Sequence, residues 1–431
     1  MKILILGINF APELTGTGKY TGEMAAWLAA RGHDVSVITA PPYYPQWQVQ
    51  EGYRATRYTS ETWRGVRVSR APLWVPDKPG GLKRLVHLAS FALSSLPLLL
   101  RAAMRRPDVV MVIEPPLFCA PAAVAAARLC GARAWLHIQD YEVDAAFELG
   151  LLKGKRLRQM VSSMERWLMR RFDRVSSISQ RMLARARDKG VDEARLQLLP
   201  NWIDVTAARA SAAAATRNGR GAADDVDCAD YRAQLGIPED AVVAMYSGNM
   251  GGKQGLETLA QVARVLRREP HLHFVFGGAG HQRDVLQAAC ANLPRVHFLP
   301  LQPAERLPAL LACADVHLLP QRAGAADLVM PSKLIGMLAS GRPVICGAAA
   351  GTELATAVTG RGLVVPPEHP RAMARALLTL LRDPEQRRRL GAAAARHAHL
   401  HFHTDTVLER LESALVQFDR RRAAAIREQP R

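Results

Sequence analysis

The chain has 431 residues, too many for one ordinary core, so two domains able to fold alone are expected. Apolar residues at 49% and charged residues at 22% are the balance of a soluble globular protein. The formal charge of +18 is not ordinary: it favours anionic partners (nucleic acid, acidic lipid or phosphorylated small molecules), although an Ala/Arg-rich chain acquires the same bias without function. The six cysteines, Cys119, Cys130, Cys228, Cys290, Cys313 and Cys346, form no C-x-x-C pair and no zinc spacing. They read as buried free thiols of a reducing compartment. The apolar segment at the N-terminus is only four or five residues long and runs into Asn9, Pro12 and Glu13, unlike a signal peptide, so a cytoplasmic location is expected.

Apolar runs at Lys2–Leu6, Val35–Thr39, Val66–Arg70, Asp108–Glu114 and Ala132–Ile138 read as strands. Between the first two, Tyr20–Arg31 reads as a helix with Met24, Trp27 and Leu28 on one face and Gly32 past its end. This alternation argues for a parallel, doubly wound sheet. The stretch 82–106 holds an uncharged run, Leu85–Leu100, between basic clusters, and Pro97 interrupts it. It is short for a bilayer span. Either it is a core helix of the first domain or it attaches to anionic lipid at the interface.

Around 205–230 large apolar residues disappear, and the chain reads as a linker or insert. A second series follows: strands at Ala241–Tyr246, Leu272–Phe276, Val296–Leu299, Asp315–Leu319 and Pro343–Cys346, with a helix at Leu256–Arg268. At the end, Thr404–Ile426 carries Val407, Leu408, Leu411, Leu415 and Phe418 as a helical stripe that packs against a domain. The expected division is 1–204, 205–231, 232–404 and 405–431. The fold class is α/β, with two Rossmann-like domains facing across a cleft and ligands at the carboxyl ends of strands.

Three loops carry candidate chemistry. In "GINFAPELTGTGKY", Gly16, Thr17 and Gly18 follow the first strand. Their spacing does not fit the dinucleotide pattern G-x-G-x-x-G, but glycine there lets backbone amides approach a ligand. In "SGNMGGKQGLE", Gly248 and Asn249 open a strand-to-helix loop and Lys253 adds positive charge near a helix start. Gln254 stands where a P-loop would have Ser or Thr, so ATP hydrolysis of that type is not expected. In "MPSKLIGMLASGRPVI", Ser332 starts a helix and Lys333 sits in its first turn, where a cation opposes the helix dipole unless an anion is bound. Two lysines on facing loops suit a diphosphate. In "WLHIQDYEVD", His137 and Asp140 end a strand and are expected to point into the cleft.

The order of "PELTGTGKY", "HIQD", "YSGNMGGKQGLE" and "PSKLIGMLASGRPVI" resembles the family-4 retaining glycosyltransferases of the GT-B fold, over nearly the whole chain apart from the insert. The first of these stretches and "YYPQWQV" are most similar to the colanic acid fucosyltransferase type. The resemblance implies that the second domain binds a nucleotide-sugar donor, with Lys253, Ser332 and Lys333 beside its diphosphate. It implies a catalytic or sugar-contacting role for His137, beside Asp140, and a donor-facing role for Gly16, Thr17 and Gly18. Gly248 and Asn249 would line the donor, although many members carry an arginine at the position of Asn249. Many also carry a glutamate at the positions of Leu328 and Gly336, the latter holding the ribose; this chain has no carboxylate at either. The implied donor is a nucleotide sugar, GDP-fucose by resemblance, with no cofactor and no metal. The implied acceptor is a polyprenyl-diphosphate-linked saccharide at an anionic membrane surface, reached by a cytoplasmic, peripherally attached enzyme of exopolysaccharide biosynthesis.

Other readings stand beside it. A GT-B sugar-nucleotide epimerase would act on soluble substrates and would not need the basic apolar stretch. "DVD" at Asp225–Asp227 lies in the insert with no strand before it, which speaks against a metal motif. Nucleic-acid binding would need exposed aromatics among the basic residues, and aromatics are only 6%. A nicotinamide oxidoreductase would need an acidic residue after the second strand, where Thr39 and Ala40 stand.

Overall fold

A computed structural model describes residues 1–13, 16–77, 80–148, 154–205, 228–303, 305–323 and 332–427. The chain forms two compact units, one of Met1–Pro200 with Leu408–Arg431, the other of Asn201–Val407.

The first unit is built on β1 (Lys2–Leu6), β2 (Asp34–Thr39), β3 (Thr59–Trp63), β4 (Val66–Arg70), β5 (Val109–Glu114), β6 (Arg133–Ile138), β7 (Arg174–Ser177) and β8 (Leu196–Leu198). Its helices are α1 (Gly16–Ala30), α2 (Gly81–Ser94), α3 (Leu96–Ala103), α4 (Ala120–Cys130), α5 (Glu142–Glu148), α6 (Lys155–Met169) and α7 (Gln180–Asp188). The strands order as β3-β4-β2-β1-β5-β6-β7-β8, parallel except for the β3–β4 hairpin at the edge. Central strands such as β5 are buried at every residue, so they read as unbroken apolar runs rather than alternating ones. The winding direction reverses between β1 and β5, which makes their carboxyl ends the place where such a sheet receives ligands.

Two expectations for this unit change. The first helix starts at Gly16, not Tyr20, so Gly16, Thr17 and Gly18 form its first turn instead of a free loop. The stretch 82–106 is two helices, with Pro97 in the first turn of α3, where a missing N–H costs nothing. His87, Leu88, Phe91 and Leu99 face the core, while Leu82, Val86, Leu93, Leu100 and Met104 face outward. The core-helix reading describes the inward face; the outward face is apolar and exposed.

The second unit carries β9 (Val242–Ser247), β10 (Leu272–Gly277), β11 (Val296–Leu299), β12 (Val316–Leu319), β13 (Val344–Gly347) and β14 (Gly362–Val365). Its helices are α8 (Cys228–Gln234), α9 (Glu257–Val265), α10 (Arg283–Cys290), α11 (Leu307–Ala312), α12 (Ser332–Ala339), α13 (Glu353–Val358), α14 (Pro370–Arg382) and α15 (Pro384–Phe402). The sheet is wholly parallel, ordered β11-β10-β9-β12-β13-β14, with its reversal between β9 and β12. Leu334, Met337 and Leu338 of α12 join Ala394 and Ala398 of α15 in one buried cluster, which fixes where α12 begins. Most of the expected insert, 206–227, lies outside the described residues, as do Leu328 and the "DVD" at 225–227.

The last helix, α16 (Thr404–Arg427), enters the first unit at Leu408. All five residues of its apolar stripe are buried. Phe418 meets the Trp135 ring edge-on at 5.7 Å, and Glu412 accepts from Arg31 Nη2 at 2.9 Å and lies 3.0 Å from His33 Nε2. Of the cysteines, Cys119, Cys290, Cys313 and Cys346 are buried free thiols and Cys130 is a half-buried one.

Candidate active site

At the carboxyl end of β9 the chain turns through Gly248 with φ +135°, a conformation that favours glycine. The loop is laced to the next strand's loop: the Gly248 amide donates to Gly277 O at 3.0 Å and that of Met250 to Ala279 O at 2.8 Å. Gly278, with φ +141°, lies so close that a Cβ there would fall inside the carbonyl of Gly248. A 3-10 turn, Gly252–Gln254, then leads to α9.

Lys333 of α12 reaches over this loop. Its Cε lies 3.2 Å from where a Cβ on Gly248 would stand. Its Nζ donates to Tyr246 Oη at 2.7 Å, Gln254 Oε1 at 3.1 Å and Asn249 O at 3.3 Å, and lies 4.5 Å from the centre of the Tyr246 ring. Tyr246 itself donates to Asn249 O at 2.7 Å. Every partner is neutral, and among the described residues Lys333 forms no ion pair. Burial, with no carboxylate to offset it, brings the ammonium down to about 7. The sequence thus located Gly248, Asn249 and Lys333 in one cluster. Lys253 and Ser332 are placed by backbone only: Lys253 precedes Gln254 in the 3-10 turn and Ser332 starts α12.

Position 336, where the resemblance expects a ribose-holding glutamate in many members, is occupied from outside: a Cβ there would come 3.1 Å from Leu311 Cδ1 and 3.8 Å from Ile203 Cδ1. Another carboxylate stands at this sheet edge. Glu368, after β14, accepts from the Ala323 amide at 3.0 Å.

In the first unit the corresponding edge is organised by carboxylates. Glu13 is buried, accepting from Asn9 Nδ2 at 2.9 Å and from the amides of Tyr43 at 3.1 Å and Tyr44 at 3.0 Å. Burial raises its pKa and the amides oppose that rise. It packs against Gly18, where no Cβ would fit, and so sets the first turn of α1. The exposed Gly16 and half-buried Thr17 keep the helix N-terminus, which attracts anions, at the end of β1.

His137 is inside the unit, not on an open surface. Its Nδ1 is 2.9 Å from Ser176 Oγ, which also accepts from Trp135 Nε1 at 2.8 Å, and its Nε2 is 3.0 Å from Gln139 Nε2. Burial holds the ring neutral, near 4. A neutral ring with both nitrogens engaged orients Gln139 at the strand end and does not act as a strong base. Asp140 follows, half-buried. Sequence reasoning missed Glu114 and Glu142 beside it. Glu114 ends β5 fully buried, and Glu142 accepts from the Leu117 amide at 3.3 Å while burial raises it to about 7. The only signal was an acid next to Pro115-Pro116, which reads as a turn. Among the described residues no group of three or more His, Cys, Asp or Glu side chains is arranged to hold a metal.

Two strand-edge sites, each on a doubly wound sheet, define a GT-B architecture. Comparison with solved structures agrees: sucrose-phosphate synthase of Thermosynechococcus elongatus superposes with TM-score 0.69 at 17% identity, covering 97% of this chain and 99% of that one. Anabaena HepE in complex with UDP gives TM-score 0.66 at 16% identity over 97% and 100% of the two chains. The family described as "Glycosyl transferase 4-like domain" matches residues 15–202, and "Glycosyl transferases group 1" matches 227–397. A protein of Escherichia coli strain K12 named as a colanic acid biosynthesis glycosyl transferase, WcaI, is 46% identical over 358 residues, 82% of this chain and 85% of its own. The chain belongs to the family-4 glycosyltransferases and is an enzyme of that class.

Proposed function

We propose that this enzyme moves a sugar from a nucleotide-sugar donor to a lipid-linked saccharide at the cytoplasmic face of a membrane, with retention of configuration, in exopolysaccharide assembly. The observation that carries the reading is the Lys333 ammonium, half-buried against neutral acceptors at the carboxyl edge of β9 and β12. A cation so placed binds an anion where a parallel sheet receives its ligand. The relative named for colanic acid biosynthesis supports the polysaccharide setting, and the UDP bound by a structural neighbour supports the donor class. The outward apolar face of α2 and α3, with Lys83, Arg84, Arg101, Arg105 and Arg106 on the same stretch, supports a membrane-bound acceptor.

In the reaction an acceptor hydroxyl oxygen bonds to the sugar's anomeric carbon as the bond from that carbon to the phosphate oxygen breaks. The hydroxyl proton passes to the departing diphosphate. Lys333, Lys253 and the Gly248–Asn249 loop stabilise the charge that develops on it, without a metal. The family resemblance assigns donor contact to Gly16, Thr17 and Gly18, and sugar or acceptor contact to His137, through Gln139, and to Asp140. The donor is GDP-fucose, with ribose contacts supplied from positions other than 336. A thermal-shift screen of GDP, UDP and dTDP sugars, followed by transfer to polyprenyl-diphosphate saccharide, tests this. Stabilisation by one donor and acceptor-dependent release of its nucleoside diphosphate are expected. No stabilisation by any donor, or epimerised sugar nucleotide as the product, contradicts it.

A further inference from the structure

One cavity belongs to neither strand-edge site. It measures about 700 Å³ and is lined by Arg128, Arg166, Arg170, Arg171 and Arg195 together with Trp167 and Asp173. It sits at the opposite end of the first unit's sheet. Gly131 and Ala132 of an adjoining cavity lead directly into β6, Asp173 directly precedes β7 and Arg195 directly precedes β8. His137 and Asp140 are at the other end of β6, about 20 Å away for a six-residue strand.

Five guanidinium groups share one lining carboxylate, and that one is committed: Asp173 accepts from Arg133 Nη1 at 2.9 Å and from the Ala134 amide at 2.9 Å. The arginines are held in place. Arg171 stacks on Trp167 at 3.9 Å, Arg195 donates to Arg170 O at 3.1 Å and Arg166 to Ser163 Oγ at 3.0 Å. Like charges gathered without counter-charges favour an oxyanion with several acceptor atoms. The helix residues flanking the lining add a second property. Met160, Met164 and Trp167 form a stripe along α6, and Leu129 stands beside Arg128; all four are more than half exposed. Exposed apolar residues and a tryptophan next to arginines match the boundary between head groups and acyl chains.

We propose that this pocket binds the phosphate of an anionic phospholipid head group, while Met160, Met164, Trp167 and Leu129 enter the lipid boundary. It is a membrane contact separate from the face of α2 and α3. The proposal rests on the reading of a membrane-working enzyme and adds a head-group site that glycosyl transfer does not require.

The test is sedimentation of the full chain with phosphatidylglycerol–phosphatidylcholine vesicles and with pure phosphatidylcholine. Each arginine near an anionic leaflet contributes about fivefold to partition, so Arg128→Ala/Arg166→Ala is expected to lower binding to the anionic vesicles roughly 25-fold. Arg128→Lys/Arg166→Lys is expected to recover most of it, and unchanged melting temperatures establish that the variants fold. Leu93→Glu/Met104→Glu probes the α2–α3 face separately. Vesicle binding lost in that variant but intact in the arginine variant overturns the pocket and leaves the proposed function standing. Wild-type protein that binds soluble glycerol 3-phosphate or an oligoribonucleotide there but not the vesicles also overturns it. The donor thermal shift, read on the same samples, reports on the glycosyltransfer reading independently.

Discussion

The two strand-edge sites solve opposite electrostatic problems. In the second unit the edge is built around a cation, Lys333, whose partners are a phenol, an amide and a backbone carbonyl. In the first it is built around acids and a neutral imidazole, with Glu13 and Glu114 buried, Glu142 half-buried and His137 engaged at both nitrogens. An under-compensated charge is poised for a ligand of opposite charge, whereas carboxyls whose charged form burial disfavours, and an imidazole engaged at both nitrogens, give shape. The difference teaches how the proposed function divides the work: on that reading the second unit would supply charge for the leaving group and the first would supply shape. That contrast can be broken from either side.

The largest effect is expected from Lys333→Ala. Removing one preorganised charge from a departing diphosphate should lower kcat/KM about 100- to 1,000-fold, with the melting temperature held or raised because a half-buried ammonium without a counter-charge is gone. Steady-state kinetics with the donor identified by the screen would measure it, and wild-type turnover would break the comparison. Next is pH. An ammonium at about 7 must be protonated to hold a diphosphate, so donor affinity by calorimetry is expected to fall about tenfold per pH unit above 7 and to level off below it. Stability of the free enzyme should run the other way. Between about 7 and the ordinary 10.5 the unfolded chain keeps a proton that the native state has lost, so stability rises with pH across that window. Gly278→Ala comes third: a Cβ inside the Gly248 carbonyl at φ +141° must displace the loop, with an expected stability loss of about 2 kcal/mol and a weaker donor shift. His137→Ala is the smallest in catalysis. It removes one hydrogen-bond partner from each of Ser176 and Gln139, so a loss of about 1–3 kcal/mol in stability should exceed the effect on turnover. With the ring already neutral, the wild-type rate profile should show no histidine titration near 6.5 from this residue.

Much of this was legible in the sequence because parallel strands buried on both faces leave unbroken apolar runs: "ILIL", "VVMVI" and "VVAMY" each fall on a strand. Elements without that signature were missed. The edge strand Thr59–Trp63 is mostly exposed and polar, and Arg174–Ser177, Leu196–Leu198 and Gly362–Val365 are too short to show a period. The start of α1 was hidden because Gly16 and Gly18 look like loop residues until Glu13 is seen to require glycine at 18. Lys333 was legible for a physical reason: a lysine in a helix's first turn opposes the dipole, and such a local conflict marks a site. His137 was legible as a position but not as an environment, since nothing local announces that Ser176, 39 residues on, will take its Nδ1.

The most direct test is a titration of the Lys333 side chain by NMR on lysine-labelled enzyme, with Lys333→Arg to assign the signal, in the absence and presence of the donor's nucleoside diphosphate. The free side chain should titrate near 7 and shift upward by at least a full unit when the diphosphate binds. A midpoint that stays where it was in the saturated complex would mean that the ammonium does not meet the diphosphate.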